Sequence, residues 1–256
     1  MKKFISQQQL DVIMKKHKLW LEKKPGGECA DLSNHDLSGL NLGRKMLRQA
    51  NFEGANLQNA NLSRSDFSMA NFARADLSGA VIVMTRARSA LLNGAKMRNT
   101  ICEESDLSHS QMNKVDADHA TFRDCNMTGC VMKQANFTRA NLFKSNFKNA
   151  FIEKSCFAEA NLKDASLYRV HAQMINAQRA RLVNANCREA DFRGSNFKNA
   201  DLHLAAFQKA RIQGVISSQK INNRPLTSTQ ASLIFDALDK IEKWQNRNKK
   251  EKAFAR

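Results

Sequence analysis

From Leu32 to Ile212 every fifth residue is apolar, and the frame never slips. These 37 centres are 14 Leu, 10 Phe, 4 Met, 4 Ala, 3 Ile and 2 Cys. Two residues before the centre, 31 of the 37 positions hold Ala, Ser, Thr or Cys, and the residue in between is Asp or Asn in 21. The clearest stretch reads ANFEG, ANLQN, ANLSR, SDFSM, ANFAR, ADLSG.

Neither regular element tolerates a period of five. On an α-helix, at about 100° per residue, the centres would advance about 140° each time and wander round the cylinder. On a flat strand, residues five apart point to opposite faces. Within one pentad, however, the small residue and the centre are two apart and share a face. Both stay inward only if the chain bends once in every five residues. Bends of one hand stack into coils, and the result is an all-β solenoid. One large and one very small side chain then fill a narrow lumen, while the intervening Asp or Asn faces outward and bonds the turn backbone.

The A(D/N)LXX pattern, unbroken over about residues 30–214, resembles the pentapeptide-repeat family. The resemblance implies a right-handed quadrilateral β-helix with four pentads per coil, about nine coils in all. At about 4.8 Å per coil the stack is roughly 44 Å long.

The flanks divide the chain into residues 1–29, 30–214 and 215–256, and each flank is expected to form an α-helical cap over an open coil edge. In front, Ser6 and Gln9 make a capping box, with Leu10, Ile13, Met14, Trp20 and Leu21 on one stripe and Pro25-Gly26-Gly27 as the stop. Behind, Thr227 and Gln230 repeat the box, and Leu233, Ile234, Leu238, Ile241 and Trp244 form a second stripe. That segment serves either as a lid or, as in the resembling gyrase-protecting proteins, as a homodimer contact.

The formal net charge is +17. When every fourth pentad is grouped as one side, the side through Leu47, Phe67 and Ala87 has 8 basic residues against 3 acidic ones. The basic residues are Lys45, Arg48, Arg86, Arg88, Lys148, Arg169, Arg188 and Lys209. Family members that protect gyrase are acidic DNA mimics, so a chain of this charge is a poor fit to that activity.

Catalytic signals are weak. Asp116, Asp118 and His119 cluster at outward repeat positions, as do Glu103 and Glu104, which in a 20-residue coil would pair along the surface. Glu103 is expected over Arg123, and Lys144 between Asp124 and Asp164. No phosphate-binding glycine loop or H-E-x-x-H occurs. The six cysteines form no C-x-x-C pair and read as free, small buried residues. The expectation is a non-enzyme without cofactor or metal. No apolar run of membrane-spanning length and no signal peptide is evident, so a cytoplasmic location is expected, with export as an effector left open.

The Asp/Asn slot degrades over 81–105 and 151–181. Leu91, Val131 and Phe151 then fall in one outward column beside Arg86 and Arg88, with Lys148 and Arg169 on the basic side. Three readings follow: a scaffold binding an unidentified protein partner through its sides, a binder of nucleic acid or an anionic surface, and, from resemblance alone, topoisomerase protection.

Overall fold

A computed structural model describes residues 3–218 of the 256-residue chain. The bridges between its pentads all run parallel between residues 20 apart, from Asp31↔Asn51 to Asp191↔Arg211. Four pentads therefore make one coil, and residues 20 apart stack in a column on one side. Centre amides from Leu32 to Phe192 donate up the stack, as Leu32 does to the Asn51 carbonyl at 2.7 Å. The Asn51 amide in turn donates down to Ala30 at 2.9 Å.

The corner geometry explains why the chain can bend every five residues. The Ala55 amide donates to the Phe52 carbonyl at 3.0 Å, closing a β-turn whose third residue is Gly54 at φ 62°. The same left-handed φ, between 52° and 70°, recurs at the fifth residue of all 37 pentads, and 30 of these residues are not glycine. The Asp/Asn slot does what its chemistry predicts and one thing more. Asp31 Oδ1 accepts from the Ser33 amide at 3.1 Å, fixing its own turn, and also from Asn51 Nδ2 of the next coil at 3.0 Å. Turn bonds thereby join into a ladder.

The lumen is the core. Small residue and centre are buried together along the stack, as Ala50 and Phe52 or Ala60 and Leu62. Burying each large centre contributes about 1.5–3 kcal/mol before chain entropy is set against it. Phenylalanines in one column stack, Phe52 on Phe72 at 4.7 Å, and meet those of the next side edge-on, Phe67 to Phe72 at 5.3 Å. Where the small residue is Ser or Thr, its hydroxyl donates to a centre carbonyl of the coil before, as Ser65 to Leu42 at 2.7 Å.

At the N-terminal end β1 (Lys3–Phe4) pairs in parallel with β2 (His35–Asp36). Helix α1 (Gln7–Leu21) follows, with both bonds of the Ser6–Gln9 capping box formed. Ile5, Leu10 and Met14 are buried in the same core as Leu32 and Leu37, and Ile13 packs against it half-buried. Two expectations change here. Pro25-Gly26-Gly27 does not stop the helix: it ends at Leu21, with Lys23 at φ 55° and the Lys24 amide donating to Leu19 at 2.9 Å. That is a Schellman closure with lysine in place of glycine. Gly27 has a different role, since a Cβ there would lie 2.3 Å from the Trp20 backbone nitrogen. The buried stripe also includes His17, while Trp20 and Leu21 are only half-buried.

At the other end β3 (Asn196–Phe197) pairs in parallel with β4 (Ile216–Ser217), so the ladder passes the last pentad. Leu233, Ile234, Leu238, Ile241 and Trp244, and with them the lid-or-dimer question, lie outside the described residues.

Candidate functional site

The degraded slot produces a definite surface feature. Leu91, Gln111, Val131, Phe151 and His171 follow one another up a single ladder. Gln111 interrupts it, so Leu91 stands apart and the continuous apolar part is Val131 and Phe151, extended by the stacked His171 ring. The Phe151 ring stacks on the His171 ring at 4.5 Å and 8°. Because the rings stack along the coil axis, their edges rather than their faces point outward. Lys133 Nζ lies 5.9 Å from the Phe151 ring centre and 3.3 Å from Glu153. Leu91 and Phe151 are each 36% exposed.

Around the adjacent corner, Tyr168 lies between Lys148, 5.8 Å from its ring centre, and Arg169 at 4.9 Å. Its hydroxyl donates to Glu189 Oε1 at 3.0 Å, and Arg169 Nε donates to Glu189 Oε2 at 2.8 Å. These two bonds hold the Glu189 carboxyl below its ordinary range, the Arg169 bond contributing most. Lys148 and Phe151 are three residues apart across the corner, and Arg169 and His171 two. The structure thus brings Val131, Phe151, Lys148 and Arg169 to one edge of the stack. His171 and Tyr168 complete it, and the same 20-residue arithmetic that aligns Val131 with Phe151 reaches His171.

Arg86 and Arg88 sit farther down the edge, and Arg88 is compensated. Arg86 stands in its ladder between Asp66 and Asp106, and Arg88 Nε is 3.1 Å from Asp106. Lys45 pairs with Asp11 of α1 at 3.4 Å. Among the described residues Arg48, Arg86, Lys148, Arg188 and Lys209 make no ion pair within 4 Å, while Lys45, Arg88 and Arg169 do, so the basic side is patchier than its count suggests.

The clusters that suggested chemistry are bound up in the surface. Asp116 accepts from Arg98 and from Asn136 Nδ2, and Asp118 contacts His119 Nδ1 at 3.0 Å. Glu103 meets Arg123 at 3.8 Å as expected. Lys144 stands between Asp124 and Asp164 in its corner column as expected, but pairs with neither and lies 5.1 Å from the Phe143 ring centre. No group of three metal-ligating side chains occurs among the described residues, and no described helix is long and apolar enough to cross a membrane. All six cysteines are free, but Cys29 is exposed and Cys156 sits half-buried in an outward slot, contrary to the expectation of uniform burial. Burial pushes the Cys130 thiol up to about 12.

A family profile described as "Pentapeptide repeats (8 copies)" matches residues 46–82, 88–129, 120–157 and 180–216, more than half of the chain. The chain belongs to the pentapeptide-repeat family. Among solved structures, it is similar to HetL, a pentapeptide repeat protein involved in heterocyst differentiation regulation from the cyanobacterium Nostoc sp. strain PCC 7120. That match has 22% identity over 80% of this chain and 97% of HetL, with a TM-score of 0.31. It is also similar to QnrB1, a plasmid-mediated fluoroquinolone resistance protein, with 20% identity over 80% of this chain and 98% of QnrB1, at a TM-score of 0.38. No curated protein matches the sequence.

Proposed function

We propose that this pentapeptide-repeat protein is a non-enzymatic scaffold, a right-handed β-helix closed by α1, that binds a protein partner along the edge bearing Phe151. The observation that carries the reading is the Val131–Phe151–His171 ladder, in a column that displays Asp or Asn at 31, 51, 71 and 191, bordered by the Lys148–Tyr168–Arg169 cluster. An apolar strip with aromatic and arginine side chains at its rim has the composition of a protein-binding hot spot. The stacked rings offer no open face to a nucleobase, which favours a protein over single-stranded nucleic acid.

The test compares affinity captures by the full chain and by a variant carrying Val131→Ser, Phe151→Asp and His171→Ser. A partner specific to the wild type, lost in the variant with unchanged melting, supports the reading. Equal recovery by both proteins refutes it. Binding to an anionic surface is the second reading, favoured by the unpaired Lys148, Arg188 and Lys209. It is separated from the first by its response to salt.

A further inference from the structure

Across the lumen from the Phe151 side lies the side with centres Leu42, Leu62, Ile82, Cys102 and Phe122, two steps away in the order of four. Its outward positions carry Val81, Val83, Met84 and Ile101 on two successive coils joined by the Val81↔Ile101 bridge. Ile101 is 43% exposed and Met84 40%. Toward the N-terminal end the patch opens into a groove lined by Asn41, Gly43, Arg44, Asn61, Ser63 and Arg64. Toward the C-terminal end it meets Glu104 and Asp124.

Over these five coils the corner column of this side reads Arg44, Arg64, Met84, Glu104, Asp124, all exposed, before continuing to Lys144. Backbone rungs hold these five corners in step: Arg64 N–H donates to Val83 at 2.9 Å, Met84 to Glu103 at 2.9 Å and Glu104 to Arg123 at 3.0 Å. Two cations, an apolar residue and two anions thus follow at equal intervals. None of the four charges takes an ion-pair partner among the described residues, although Glu103 and Arg123 beside them do.

Such a column is its own complement when reversed. A two-fold axis lying across the face and passing at the level of Met84 turns the stack end for end and returns each column to itself. It brings Arg44 opposite Asp124, Arg64 opposite Glu104, and Met84 and Val83 opposite their own copies. The neighbouring column agrees, since Arg123 then falls opposite Gly43, the one position of that column without a side chain. We propose that this face binds a second copy of the chain, antiparallel, in an isologous pair. The apolar patch forms the centre and two sets of charges form the ends, the arrangement expected of a small specific interface. Five coils overlap, about 24 Å, which places the pair at the weak end of the size range. Both Phe151 edges remain uncovered, because they lie on the far sides.

The test is sedimentation of the full chain from about 1 to 200 µM, a range that spans weak association. The variants are Arg64→Glu, Glu104→Arg and the two combined. Glu already occupies the corner position of a pentad at 104, 159 and 189 and Arg at 44, 74 and 139, so neither substitution asks the turn for a new residue type. The expected result is a dimer weakened about tenfold or more by either reversal and recovered by both together, with Phe151→Asp leaving it unchanged. A monomer at every concentration would give the patch to some other protein and overturn the proposal. So would a dimer indifferent to Arg64→Glu, which would put the contact elsewhere, or a double variant that fails to recover.

Discussion

One residue in five holds a backbone conformation that L side chains disfavour by about 1–2 kcal/mol. Thirty non-glycine residues accept it here because the turn bond and the ladder bonds on either side leave the corner no alternative. Side-chain choice reflects the strain: none of the 37 corner residues is Val, Ile or Thr, whereas Val83, Thr128, Thr138 and Val183 sit one position earlier. That absence was legible in the sequence, but attention to the apolar centres passes over it. Met69, exposed at φ 63° with no polar tie, isolates the effect. Replacement by Ile, similar in volume but β-branched, should lower the urea midpoint by an amount equivalent to about 1–2 kcal/mol. Replacement by Gly should leave the midpoint level or raise it. Equal midpoints for the two variants would show that the corner imposes no such constraint.

Helix α1 depends on a group whose charge can change near neutrality. His17 is fully buried, its Nδ1 accepting the Ala30 amide at 3.0 Å and its ring stacked on Trp20 at 5.4 Å. Burial lowers its pKa, against a weaker opposing pull from the Arg48 backbone. The charges nearest along the chain are Lys16 and Lys18 on the helix and Asp31 on the first coil, with Glu28 in the linker salt-bridged to Lys16. A lowered folded pKa means the unfolded or undocked state takes the proton first. The docking contribution is therefore complete above the unfolded value of about 6.5 and lost as pH falls below it. The protection factors of the Leu10–His17 amides, exchange measured against the intrinsic rate at each pH, should fall on going from pH 7.5 to pH 5.5, and His17→Gln, which keeps an acceptor, should flatten that dependence. Identical pH profiles for the two proteins would contradict the assignment. The capping box and the Leu10–Met14 stripe were readable because they follow helical spacing. His17 was not, since a histidine on an apolar stripe declares itself as a packing residue only once its amide partner is known.

Across the whole chain, the fold was legible because a period of five admits so few solutions, and spacing by 20 then placed Val131 beside Phe151 correctly. What spacing could not supply was side-chain reach. Arg88 and Lys45 counted as free charge but are held by Asp106 and Asp11, the latter from an element outside the repeat. The partner is illegible for a related reason: the surface slots, unlike the lumen, place no packing demand on what fills them. A net charge of +17 still makes a general prediction. Any binding to a DNA duplex should weaken by orders of magnitude between about 50 and 200 mM salt, and binding unaffected by salt would exclude the basic side as its source. Because every bridge between pentads spans 20 residues and no loop interrupts the described coils, the molecule counts in twenties. Excising one full turn of chain shortens it while each remaining side chain keeps its compass bearing. Excising a single pentad instead swings everything downstream by a quarter turn, so that Phe151 would look north where it had looked east.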